Sequence, residues 1–153
     1  MRRTFNILIV ILVITGLLAF PGCPARDSAG KELEKNRDKW QAQQIADYQF
    51  TLRVICFCPE DITSPVIIEV RDGTFSSIRY AQDPDAVSTD FFGRANTVEK
   101  LFIIIEEAIE DEADELTVDY DPDYGLPLKI AIDPVFNAVD EEITYTVSDF
   151  KIL

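Results

Sequence analysis

The sequence predicts an α+β fold: two αβββ units, with one antiparallel sheet and two helices packed on one face. Three observations carry this. Apolar and polar residues alternate with period two in short runs. Two longer stretches repeat apolar residues at helical spacing. The links inside each group of three strands are of hairpin length, which makes neighbouring strands antiparallel.

The first helix is expected from Lys31 or Asn36 to Ala46, with Leu33, Trp40 and Ile45 turned inward and Tyr48 just beyond. Strand one is expected over Tyr48–Cys58. Tyr48, Phe50, Leu52, Val54, Cys56 and Cys58 take one face, and Gln49, Thr51, Arg53, Ile55 and Phe57 the other. Pro59 has no N–H to donate and ends the strand. Strand two spans Val66–Arg71. Asp72-Gly73 is a two-residue hairpin signal, and strand three spans Thr74–Tyr80. Gln82–Ala95 reads as a loop, with Asp83-Pro84-Asp85 and Gly93 as breakers.

The second unit begins at Asn96, expected to cap a helix with Glu99 as its capping-box partner. Val98, Leu101, Phe102, Ile105, Ala108 and Ile109 share one face of that helix. Strand four is expected over Leu116–Asp121, followed by a turn at Asp121-Pro122-Asp123-Tyr124-Gly125. Strand five spans Leu128–Asp133, with Leu128, Ile130 and Ile132 on one face. Strand six spans Glu142–Phe150, with Ile143, Tyr145 and Val147 on one face. The two halves share this pattern with little sequence identity.

Ahead of the first helix, Arg2 and Arg3 precede an apolar run over Asn6–Ala19, then Leu18-Ala19-Phe20-Pro21-Gly22-Cys23. A positive start, an apolar stretch and a small residue before the cut make a secretory signal. A cysteine directly after that residue makes it a lipoprotein signal over residues 1–22, with Cys23 lipidated. The run is shorter than the roughly 20 residues a spanning helix needs; an uncleaved N-terminal anchor is the alternative. Residues 23–35 are expected to be the lipidated cysteine and a flexible tether, and 36–153 a single α+β domain. The expected location is the cell envelope, on the extracytoplasmic side of a bacterial membrane. Pro24-Ala25, with no Asp beside Cys23, points to the outer membrane of a double-membraned cell such as one with a periplasm.

Losing Arg2 and Arg3 with the signal leaves 12 basic residues against 28 acidic ones, a formal charge of −16. Such a surface repels nucleic acid and attracts cations or a basic protein partner. The chain has no histidine, so Ser-His-Asp and Cys-His arrangements are excluded.

Three groups are candidates for chemistry. With Cys23 taken by lipid, Cys56 and Cys58 remain as a pair in an exported chain, which suggests a disulfide. In a regular strand their Cα atoms would stand about 6.6 Å apart, near the limit for a bridge, so bridging requires the strand to bend. A pair of buried thiols, a redox-active dithiol, and a metal site completed by Glu60 and Asp61 are the alternatives. The acidic run Glu106-Glu107, Glu110-Asp111-Glu112 and Asp114-Glu115 reads as a solvated face or a docking surface for a basic partner. Asp119, Asp121 and Asp123 have the spacing of calcium ligands, with Asp133, Asn137, Asp140 and Glu141 as further oxygens. The pattern departs from the EF-hand loop at its sixth and twelfth positions, and ordinary turn chemistry explains it equally well. No cofactor other than calcium is implied, and no catalytic residue stands out.

Trp40 before Tyr48-Gln49-Phe50, then Cys56-Phe57-Cys58-Pro59, resembles a family of predicted bacterial lipoproteins classified only as a domain of unknown function. Thr97-Val98, Leu101-Phe102, Tyr120-Asp121-Pro122, Tyr124-Gly125-Leu126-Pro127, Ile130-Ala131-Ile132-Asp133 and Asp140-Glu141-Glu142 agree with it, over roughly residues 36–150. Leu126 stands where a tyrosine is expected. The resemblance implies export and one α+β domain, and transfers no activity.

The expectation is therefore a lipid-anchored, extracytoplasmic, non-catalytic interaction module of the envelope, held to the membrane through Cys23. The alternatives are a thiol redox or metal-binding protein using Cys56 and Cys58, and a calcium-binding module.

Overall fold

The alternating run from Tyr48 becomes the spine of the molecule. The computed structural model describes residues 24–83, 87, 89–135, 138 and 140–153. Residues 1–22 and Cys23, read above as signal and lipid site, lie outside the described residues, as does Asn137. Strand β1 (Tyr48–Ile55) buries every second side chain, Tyr48, Phe50, Leu52 and Val54. It pairs on one side with β2 (Val66–Arg71), which continues through Asp72-Gly73 into β3 (Thr74–Tyr80). Both turn residues have positive φ, 49° and 70°, so the hairpin turns with the right-handed twist of its strands.

On its other side β1 pairs with the last strand, β6 (Ile143–Ile152). Then come β5 (Pro127–Asp133) and β4 (Glu115–Tyr120). All neighbours are antiparallel, and the order is β3-β2-β1-β6-β5-β4. The second triplet therefore enters the sheet backwards. A two-fold duplication would place the first strand of each triplet at the centre; here the centre is the first strand of one and the last of the other.

The α+β class and the single antiparallel sheet are as expected. Helix α1 (Pro24–Gln43) and helix α4 (Val98–Glu110) cover one face, over the buried side chains of β1, β2, β5 and β6. Two four-residue helices that the sequence did not announce lie in the connections, α2 (Glu60–Thr63) and α3 (Thr89–Phe92). Among the described residues no helix is long and apolar enough to cross a membrane.

Several boundaries differ from expectation. Helix α1 includes Pro24, so residues 24–35 of the segment read as a flexible tether are helical. Strand β1 stops at Ile55 instead of Cys58, because the chain bends at the cysteines. The cap of α4 is Thr97, whose hydroxyl accepts from the Lys100 N–H at 3.3 Å, while the Asn96 side chain accepts from Lys100 Nζ at 2.9 Å. Glu99 bonds elsewhere. In β6 a bulge opposite Gln49–Thr51, with Asp149 at φ 51°, shifts the alternation. It turns Phe150 onto Trp40, Tyr48 and Tyr124.

Candidate functional site

The end of the sheet where β1 finishes gathers the features that core packing does not explain. Beyond Ile55 the chain bends, and the Cys56 and Cys58 Cα atoms come to 5.2 Å, joined by a disulfide. That is shorter than the roughly 6.6 Å of a regular strand, so the bend the sequence reading required is present. Between the two cysteines Phe57 is 82% exposed, and Ile55 is 51% exposed. The cysteines themselves are half-buried, and Cys56 packs against the core. The disulfide closes a three-residue ring, so the benzyl side chain is offered to solvent from a covalently restricted loop.

Pro59 follows the ring and stands at the N-cap position of α2. Its carbonyl accepts from the Ile62 and Thr63 N–H groups. This turn lies against the end of β3, where the Tyr80 hydroxyl donates to the Asp61 carbonyl at 3.1 Å. Between them opens a cleft of about 550 Å³, lined by Glu60, Asp61, Ser64, Pro65, Tyr80, Gln82 and Asp83. Three of these side chains are carboxylates and none is basic. Among the described residues, no three Cys, Asp or Glu side chains converge closely enough to hold a metal ion. The cleft is lined by acidic side chains. Its dimensions suit an organic cation, a guanidinium or an ammonium on a chain.

The other sequence candidates fall in different places. Asp121 Oδ1 accepts the N–H groups of Asp123 (2.8 Å) and Tyr124 (2.7 Å), and so builds the turn. Asp119 lies on the open face of β4, opposite Lys129. Asp133 Oδ1 likewise accepts from the Val135 N–H at 3.1 Å. These oxygens do the turn work that the sequence allowed. In the acidic run, Glu106 is paired with Arg37 of α1 at 2.8 Å, and Glu107 with Arg94 at 2.9 Å. The Arg37 hydrogen bond holds the Glu106 carboxyl below its usual range.

One constellation escaped the sequence reading. Trp40 Nε1 donates to Glu99 at 2.8 Å, and the Tyr48 hydroxyl donates to the same carboxylate at 3.1 Å. That hydroxyl also accepts the Val98 N–H at 3.0 Å, at the start of α4. A tyrosine from the sheet thus serves as a cap for a helix 50 residues away. Burial pushes the Tyr48 phenol far above its ordinary range, with the nearby Glu99 charge adding to the effect against the opposing pull of the Val98 N–H. A phenol held neutral this firmly, with both roles of its oxygen occupied, is a structural tie. The Glu three residues after Asn96 was visible in the sequence; its partners on α1 and β1 were not.

The Tyr124-Gly125-Leu126-Pro127 segment is structural in the same sense. Gly125 lies directly against α1, and Lys39 Nζ donates to the Pro122 carbonyl. Residues 32–152 match a family of unknown function (DUF6174), and the chain belongs to that family. The match starts one residue before Leu33, a buried apolar side chain of α1. No curated protein and no solved structure matches the chain.

Proposed function

We propose that the chain is a lipid-anchored, extracytoplasmic interaction module of the bacterial envelope, without catalytic activity. The observation that carries the proposal is the Cys56–Cys58 disulfide. Disulfides persist in oxidising compartments and are rare where thiols are kept reduced. The remaining cysteine, Cys23, stands where a lipoprotein signal would present it for acylation. The formal charge of −16 left after loss of the signal suits a domain kept soluble beside a lipid surface. Phe57, offered to solvent from the oxidised loop, supplies the apolar contact that an interaction module needs.

The test is the intact mass of the membrane-extracted protein, alkylated without reduction. The expected mass lacks residues 1–22, carries lipid on Cys23 and has no alkyl group. An unprocessed chain without lipid overturns the lipid anchoring and transfers the reading to an uncleaved N-terminal anchor. Two alkyl groups, at Cys56 and Cys58, transfer the reading to thiol redox or metal chemistry. Calcium-dependent heat in a calorimetric titration, abolished by Asp119→Asn, transfers it to a calcium-binding module. Turnover by the isolated domain overturns the non-catalytic reading.

A further inference from the structure

We infer that the Phe57 loop and the adjoining acidic cleft form one docking surface for a basic, extended segment of a partner protein. The inference rests on the envelope-module reading and names the surface and the partner's chemistry. Phe57 and Ile55 supply an exposed apolar centre at the end of a central strand. Glu60 and Asp61 follow within four residues and, with Asp83, line the cleft, and none of its described lining residues is basic. An apolar anchor beside a charged rim is the usual anatomy of a protein interface.

Charge complementarity selects the occupant. The same end of the sheet receives the C-terminus of α4 and the start of β4, with Glu110, Asp111, Glu112, Asp114 and Glu115. A bilayer carrying anionic lipid would be repelled there, and so would a second copy of this acidic chain. A lysine or arginine beside an apolar residue satisfies both halves: its cation enters the cleft and its neighbour packs on Phe57. The carboxylates line a roomy cleft without converging, which fits a guanidinium or ammonium better than a bare metal ion.

The experiment places the photo-crosslinking residue p-benzoylphenylalanine at position 57 of the full chain, in cells. Positions 103 and 152, also exposed apolar sites, serve as controls. The expected result is a discrete protein adduct from position 57 alone, mapping to a peptide of net positive charge. Its yield falls at least fivefold with Glu60→Lys and Asp61→Lys together, and falls less with the neutral pair Glu60→Gln and Asp61→Asn. Phospholipid adducts make the membrane the occupant and overturn the inference. So do adducts to a second copy, adducts to an acidic peptide, adducts indifferent to the charge reversal, or no adduct. An unchanged Trp40 emission spectrum shows that each variant is folded. Detergent fractionation of the same cells reads the envelope assignment separately: a chain found in the membrane fraction without adducts loses only this inference, and a cytoplasmic chain loses the envelope reading.

Discussion

Gly125→Ala tests the packing of the turn after β4 against α1. Gly125 has φ +81°, and a Cβ built there would stand 2.6 Å from the Asn36 carbonyl oxygen and 3.0 Å from Lys39 Cβ. The first contact is with helical backbone, which cannot rotate away. The turn cannot retreat easily either: the Gly125 N–H donates to the Asp121 carbonyl at 2.9 Å, and the Asp121 N–H to that of Leu126 at 2.8 Å. Placing alanine in the left-handed region costs about 1 kcal/mol, and overpacking adds about 1–3 kcal/mol. The expected loss is about 3 kcal/mol. Gly73 isolates the first cost, because its φ is +70° while nothing lies within 4 Å of its Cβ position. Gly73→Ala should therefore cost about 1 kcal/mol. The assay is urea unfolding followed by Trp40, the single tryptophan, which is 3% exposed. With a slope of about 1.5 kcal/mol per molar, the midpoint should fall about 2 M for Gly125→Ala and about 0.7 M for Gly73→Ala. Equal shifts would refute the close approach of turn and helix.

Three other outcomes are expected. Tyr48→Phe leaves the buried Val98 N–H unpaired and removes a donor to Glu99, a loss of about 2–3 kcal/mol in urea unfolding; Tyr80→Phe, whose exposed hydroxyl donates to the Asp61 carbonyl, should cost under about 0.5 kcal/mol, and equal costs would contradict the capping role. Burial raises the phenols of Tyr48, Tyr120 (to about 12) and Tyr145, so the fold favours their neutral forms: that stability is intact below the ordinary value of 10 and is lost as pH rises above it. Ultraviolet titration should show these three ionising together with unfolding, and five tyrosinates formed near pH 10 by a folded chain would contradict it. Cys56→Ser opens a ring of three residues, for which loop-closure entropy gives about 1.6 kcal/mol; a midpoint unchanged in urea would show that the bridge contributes nothing.

Faces and hairpins were legible in the sequence, and neighbours were not. Strands β2 and β3 match their expected limits because Asp72-Gly73 pins the register from inside. Alternation placed Ile55 and Phe57 on the outward side of β1, where they are exposed. It could not place β6 beside β1, since period two says which way a side chain points and not which strand lies alongside. Glu99 shows the same limit. Three residues after Asn96 it has the spacing of a capping box, yet an indole and a phenol from distant elements hold it. Helices α2 and α3 are too short to show periodicity. Of the candidate site, the cysteine pair, Phe57, Glu60 and Asp61 were readable as neighbours in sequence. Tyr80 and Asp83 were not, because the β2–β3 hairpin alone brings them back over α2.

The reversed second triplet has a consequence for that site. A strand at a sheet edge opens easily, because one side of its backbone is unpaired. With the order β3-β2-β1-β6-β5-β4, β1 is paired to β2 over Tyr48–Leu52 and to β6 as far as Ile55. A two-fold arrangement would have kept β1 central too, but would have sent β6 to the edge and left Ile55 facing a different strand. As built, Ile55, the last paired residue of β1 and held there by β6, is also the first exposed apolar residue of the strand. The disulfide then fixes the next three residues, and Pro59 starts α2 beneath the cleft. Phe57 thus stands on rigid backbone, so a partner that packs on it has little loop entropy to remove on binding.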